Sequence, residues 1–189
     1  VRRNSTMHRP FPPSLIAAAS IFMAGLLALG LAGCGSNAGI AVQTPPPSNY
    51  PGVTFGGKAM AGKQPLIGAS VQLYAAGTTG NGSAGTAMLS TALTTDANGV
   101  FTAPAGYVCP SAASQLYVIA RGGKSGAAAT SANSAAVLLT VLGPCNLVVA
   151  SSQVVVNEVT TVAAVYALSQ FLSAGANLGA SSTNGTGLG

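Results

Sequence analysis

This chain has almost none of the side chains that do acid–base, metal or redox chemistry. Its 189 residues hold two carboxylates, Asp96 and Glu158, one histidine, His8, and no tryptophan. A Ser–His–Asp triad needs an imidazole beside its serine, and a Cys–His pair needs the same. His8 lies at the extreme N-terminal end, ahead of a long apolar run, which removes both from the rest of the chain. Two carboxylates are the minimum for a glycosidase. Here a turn sequence already explains Asp96 and a helix start explains Glu158. No glycine-rich loop carries the Lys and Ser/Thr that cradle a phosphate. Cysteines without histidine or nearby carboxylates cannot complete a zinc shell. Asp96 and Asn98 begin a calcium-loop spacing, but too few oxygen ligands follow. The sequence therefore predicts no catalytic residue, no metal site and no cofactor.

Charge is equally scarce. The formal net charge of +5 misleads, because Arg2, Arg3 and Arg9 supply much of it from the N-terminal end. The remainder keeps Lys58, Lys63, Arg121 and Lys124 against Asp96 and Glu158, a net +2. No basic stripe is present, which argues against a nucleic-acid partner. No run of the sequence reads as a polybasic lipid-binding patch either.

What is present begins with an address. Three arginines precede an uncharged apolar stretch from Leu15 to Ala32, which ends in Leu31-Ala32-Gly33-Cys34. A basic start, an apolar core and small residues at the end is the order of a secretory signal. The stretch is rich in Ala and Gly, and no basic stop-transfer cluster follows. These features favour cleavage over a retained span. Met7 is a second candidate start and would leave His8 and Arg9 as the basic region. The motif Leu31-Ala32-Gly33-Cys34 resembles the lipobox of bacterial lipoproteins. That resemblance implies a signal helix over 1–33, cleavage before Cys34 and acylation of Cys34. The partner it implies is membrane lipid. Gly35 is not the Asp that retains such proteins in the inner membrane, so the implied location is the cell envelope, at the outer membrane.

With Cys34 assigned to lipid, Cys109 and Cys145 remain. An exported chain meets an oxidising compartment, so a disulfide between them is expected. The alternative is two free buried thiols. Residues 34–51 read as a tether containing Pro45-Pro46-Pro47, extended and semi-rigid. Residues 52–156 read as one β-domain. Val53-Thr54-Phe55 is a short strand ended by Gly56-Gly57. Residues 69–74 alternate polar and apolar, as a half-buried strand does. Gly77 to Gly85 is a loop, and Thr86 to Thr95 a strand. Asp96-Ala97-Asn98-Gly99 is a turn, in which Asp96 and Asn98 bond local backbone and Gly99 accepts positive φ. Val100 starts the next strand. Gln115 to Arg121 carries apolar residues on both faces and reads as a central strand. Ala135 to Leu142 and Asn146 to Ala150 follow, with Pro144-Cys145 turning between them. Many short strands separated by turns predict a mainly β protein, an antiparallel β-sandwich.

Gly62-Lys63-Gln64-Pro65-Leu66-Ile67-Gly68-Ala69-Ser70-Val71-Gln72-Leu73, followed by Thr94-Thr95-Asp96-Ala97-Asn98-Gly99-Val100-Phe101, resembles the carboxypeptidase-regulatory-like family. The resemblance covers about half of the chain after Cys34. It implies an Ig/transthyretin-like or Cna-B-like sandwich and says nothing of activity. Some Cna-B-like domains carry a Lys–Asn isopeptide bond, for which Lys58 with Glu158 as helper is the candidate here. A solvated lysine and a helix cap explain the same residues.

The last part changes character. Val154 to Val156 reads as a strand, and 157–174 as a short C-terminal helix capped by Asn157 and Glu158. Val159, Val162, Ala163, Tyr166 and Phe171 share its apolar face. The stretch Asn157 to Ala163 also resembles a segment of acidobacterial-type envelope proteins, in which the chain continues further. Residues 175–189 read as a flexible or truncated tail. Tyr50, Tyr74, Tyr107, Tyr117 and Tyr166 are a candidate sugar-stacking platform, set against scattered core and rim positions. The sequence predicts a lipid-anchored, non-catalytic envelope module with a structural or adhesive role; the alternatives are a surface module that binds glycan or peptide through loops such as Gly77 to Gly85, or the N-terminal fragment of a larger envelope protein.

Overall fold

The computed structural model describes residues 48–181 and Leu188. The signal segment 1–33, Cys34 and the tether as far as residue 47 lie outside the described residues. In chain order the strands are β1 (Ser48–Pro51), β2 (Phe55–Ala61), β3 (Gln64–Ile67), β4 (Ser70–Ala75), β5 (Thr86–Ala87), β6 (Leu93–Thr94), β7 (Val100–Ala103), β8 (Val108–Ser111), β9 (Gln115–Arg121), β10 (Lys124–Ser125), β11 (Val137–Pro144) and β12 (Gln153–Val156). A helix, α1 (Glu158–Ala167), and a small hairpin of β13 (Leu172–Ser173) and β14 (Asn177–Leu178) complete the described chain. The protein is mainly β, and its strands form a sandwich.

One sheet runs β10-β3-β2-β12 with β7 also on β2, and the other β11-β9-β4-β5 with β6 also on β4. Alternation decides what each strand buries. Val71, Leu73 and Ala75 of β4 point into the sandwich, as do Leu116, Val118 and Ala120 of β9. Phe55 and Ala59 of β2, Phe101 and Ala103 of β7, and Val154 and Val156 of β12 face them from the opposite sheet. β9 is buried on both sides, as its sequence predicts. Tyr117 and Ile119 on its other face form a second core with Leu139, Ala164, Phe171, Leu178 and Ala180.

Several expectations need correction. The tether does not reach residue 51 as tether, because β1 pairs antiparallel with β8. Gly56-Gly57 does not end a strand but lies inside β2. Gly57 faces Phe101 across the ladder, and a Cβ there would sit 2.2 Å from the ring. The aromatic covers the glycine, so the missing side chain is a packing device. Thr86 to Thr95 is two short pieces on β4, separated by an irregular segment whose Leu89 enters the core and whose Leu89 carbonyl accepts from the Gln72 side-chain amide at 3.0 Å. Asn146 to Ala150 is not a strand; Cys145–Leu147 is a single 3-10 turn. The sandwich is not wholly antiparallel, since β12 runs parallel to β2.

The helix ends at Ala167, well before 174, and Ser169–Phe171 forms a 3-10 turn. Beyond it the described residues as far as Ser181 are not a free tail. Leu178 and Ala180 are buried, and bridges join Gly77 to Gly179 and Thr79 to Ser181.

Thr95 and the disulfide hold the sandwich at two places. Thr95 is buried between the sheets, where its Oγ1 accepts from the Ala69 amide at 2.8 Å and donates to the Leu66 carbonyl at 2.6 Å. Cys109 of β8 is bonded to Cys145 just after β11, with a sequence separation of 36 residues. Replacing Thr95 by Val leaves a buried N–H and C=O without partners, and is expected to cost about 2–4 kcal/mol in denaturant unfolding. Thr95→Ser should cost much less. Removing the disulfide with Cys109→Ala and Cys145→Ala together should cost about 4 kcal/mol by loop-closure entropy. Thiol blocking without reductant should add no mass at either cysteine.

Candidate functional site

The carboxylates come first, because any chemistry would begin with them. Asp96 opens the turn between β6 and β7. Its Oδ1 accepts from the amides of Asn98 and Val100, both at 2.8 Å. Gly99 closes that turn at φ +75°, with its own amide donating to the Asp96 carbonyl. A side chain at Gly99 would meet the Ala59 carbonyl at 2.4 Å, so both geometry and space require glycine there. Asp96, Asn98 and Gly99 thus form a turn, with Asn98 taking part through its main-chain amide.

Glu158 begins α1. Both of its oxygens accept from the Gly62 amide, at 2.9 and 3.1 Å. The carboxylate therefore pins the β2–β3 turn to the helix start, besides meeting the positive end of the helix. Asn157 caps the helix as expected. Its side chain accepts from the Thr160 amide at 2.9 Å, and Thr160 Oγ1 accepts from the Asn157 amide at 3.0 Å. A threonine completes this reciprocal cap in place of the usual Glu or Gln. Lys58 is exposed between Val100 and Val155 on neighbouring strands. Among the described residues no hydrogen bond or ion pair joins it to Glu158, which leaves the isopeptide arrangement without its helper.

The tyrosines do not form a platform. Tyr107 and Tyr117 are buried, Tyr50 and Tyr74 half-buried, and Tyr166 stands 87% exposed on α1. Tyr117 stacks on Tyr74 with ring centroids 5.3 Å apart and receives the Leu178 amide at 3.4 Å. Tyr107 meets Phe55 edge-on at 6.5 Å. These rings belong to the two cores.

The loop Gly77 to Gly85 does border a cleft. Its volume is about 480 Å³, and Thr78, Thr79, Thr86, Ser111, Ser114 and Gln115 line it together with four alanines, Pro110 and Leu188, so its surface is more apolar than polar. No charged side chain is among the lining residues. Part of its polarity is already used. Ser114 Oγ accepts from the Ser111 amide at 2.9 Å and lies 3.1 Å from Ser111 Oγ. Such a surface offers hydroxyl and backbone hydrogen bonds to a neutral polar ligand. It holds no nucleophile–base pair. Among the described residues no three His, Cys, Asp or Glu side chains lie together as metal ligands.

Sequence reading missed one pair of polar residues. Thr161 Oγ1 accepts from the Leu139 amide at 2.9 Å, and Thr160 Oγ1 donates to the Leu139 carbonyl at 3.0 Å. The two hydroxyls close the outer edge of β11. Adjacent threonines at the start of a helix with a buried partner were the available signal.

Comparison with protein-family models, with curated proteins and with solved structures gives no match for this chain.

Burial pushes the Tyr107 and Tyr117 phenols above their ordinary value near 10. The fold favours the protonated form, so this stabilisation is whole below about pH 10 and is lost as pH rises through the folded-state values. Phenolate absorbance should therefore show part of the tyrosine signal lagging until the protein unfolds at alkaline pH. Tyr117→Phe should remove part of the lag.

Proposed function

We propose that this is a lipid-anchored cell-envelope protein whose β-sandwich works without catalysis, in a structural or adhesive role. The observation that carries the reading is Leu31-Ala32-Gly33-Cys34 at the end of the uncharged run Leu15 to Ala32. Acylation at Cys34 gives the chain a membrane-lipid partner, and two or more acyl chains hold stably where one does not. Gly35 favours the outer membrane. The buried Cys109–Cys145 disulfide suits an oxidising compartment. Both carboxylates are engaged by backbone amides, which supports a surface that binds and does not react. The Asp96–Gly99 turn, and the turn and strand over Gly62 to Leu73, are compatible with a carboxypeptidase-regulatory-like, transthyretin-like sandwich.

A second reading is a module for surface glycan or peptide. The uncharged, hydroxyl-lined cleft beside Gly77 favours it. Extended peptides and sugars both satisfy such groups, and no nucleic acid would be drawn to a site without cations.

Labelled palmitate fed to the producing bacterium should enter the wild-type chain and not Cys34→Ser, and the wild type should fractionate with membranes. Unprocessed, unlabelled wild type in the soluble fraction would refute the anchor. On a glycan array, signal lost on Thr79→Arg would move the weight to the second reading.

A further inference from the structure

The helix α1 is packed the opposite way round from its sequence. Thr160, Thr161 and Ala164 face the sandwich, while its valines face out. Val159 is 74% exposed, Val162 67% and Tyr166 87%. With Ala163 they make one apolar face on which Glu158 is the sole charged neighbour, and its carboxylate is held by Gly62. Two cations stand nearby. Lys63 follows Gly62 in the turn that Glu158 pins, and Lys58 lies opposite Val155, three residues ahead of the helix.

We propose that this face of α1 docks on an anionic lipid surface, with Val159, Val162 and Tyr166 entering the boundary between headgroups and acyl chains. Lys58 and Lys63 lie against the headgroups. Shape favours lipid over a protein partner. A helix of ten residues is about 15 Å long, and its four outward apolar side chains present on the order of a few hundred Å². A stable protein interface buries roughly 1,200 Å² or more in total, about 600 Å² from each partner, which is more than this face alone supplies. A protruding ridge of this size instead suits the shallow immersion of an interfacial helix, with a tyrosine at headgroup level. Charge agrees. Glu158 keeps its negative charge while it accepts from the Gly62 amide, and Lys58 and Lys63 outnumber it two to one around the helix start, so each lysine near an anionic leaflet adds attraction. The proposal rests on the lipid-anchor reading for proximity. Residues 34–47, at about 3.4 Å each when extended, would keep the sandwich within roughly 48 Å of the leaflet.

The test uses the full chain, taken from whichever cell fraction holds it, with an environment-sensitive dye on Val162→Cys. Ser90→Cys, exposed in the irregular segment between β5 and β6, carries the same dye as control. Each is placed with vesicles of phosphatidylcholine and phosphatidylglycerol containing spin-labelled lipid. Quenching at position 162 should exceed that at position 90 by at least about fivefold, and the blue shift should appear only with vesicles. Lys58→Glu with Lys63→Glu should lower the excess several-fold, as should omission of phosphatidylglycerol. Equal quenching at the two positions overturns the proposal. So does a blue shift without vesicles that grows with protein concentration, because a second copy would then be covering the face. An excess indifferent to both lysines and phosphatidylglycerol overturns the anionic surface. Palmitate on Cys34 is scored on the same preparation, so loss of the anchor and loss of docking are read separately.

Discussion

A strand that is apolar on both faces must be covered twice, and β9 imposes that demand on everything around it. Leu116, Val118 and Ala120 are satisfied by the facing sheet. Tyr117 and Ile119 point the other way and would meet water if the chain stopped at β12. The remaining segment supplies their cover: Phe171, Leu178 and Ala180 lie over them, and the Leu178 amide reaches the Tyr117 hydroxyl. Covering the second face takes the chain from β12, on one sheet, to the outside of the other. α1 makes that passage along β11. Its position is set by hydrogen bonds, because the edge of β11 leaves the Leu139 amide and carbonyl open and Thr160 and Thr161 fill both. An exposed edge invites pairing with another chain, and a helix laid across it removes the invitation.

That solution fixes which way the helix turns. A surface helix ordinarily buries its apolar stripe. Here the groups that need partners are the backbone of β11, so the threonines go inward and the valines go out. The exposed apolar face is a consequence of edge protection, and four apolar side chains in water represent burial that the isolated sandwich forgoes.

The parts of the fold written in local residues were legible in the sequence. The alternation read over Ala69 to Tyr74, one residue off the strand Ser70–Ala75, the two-faced run Gln115 to Arg121, the Asp96–Gly99 turn and the Asn157 cap each depend on neighbours within a few positions. The parts written in shape were not. Gly57 reads as a break until the ring of Phe101 is seen to occupy its space. Gly179 and Ala180 read as tail, yet a Cβ at Gly179 would meet Ser83 Oγ at 2.3 Å, so small size is what permits their packing. Periodicity grouped Val159, Val162, Ala163 and Tyr166 on one side of α1 but wrongly added Phe171, which lies past the helix in a 3-10 turn and is buried in the second core. It could not tell whether that side faces in or out, because the answer lies in the unpaired backbone of a distant strand. The cleft was legible only as a loop, since its lining joins the segment after β4, the end of β8 with the turn that follows it, and residues near the C-terminal end.

The scarcity of charge sets what such a surface can do. Its two carboxylates act as structural clamps, one closing a hairpin turn and the other tying a turn to a helix. No imidazole lies among the described residues to change charge near neutrality. Recognition then falls to hydroxyls, backbone groups, apolar contact and a few scattered lysines, all weak singly. Weak contacts become effective when the partner is held close, because tethering turns a bimolecular encounter into a local one with a high effective concentration. An acylated Cys34 would supply that proximity for a lipid surface. It would also leave the hydroxyl-lined cleft, formed by loops and carrying no charge, as the place where selection of a neutral polar partner could occur. Anchoring and recognition would then reside in different parts of the chain, and neither would require a reacting group.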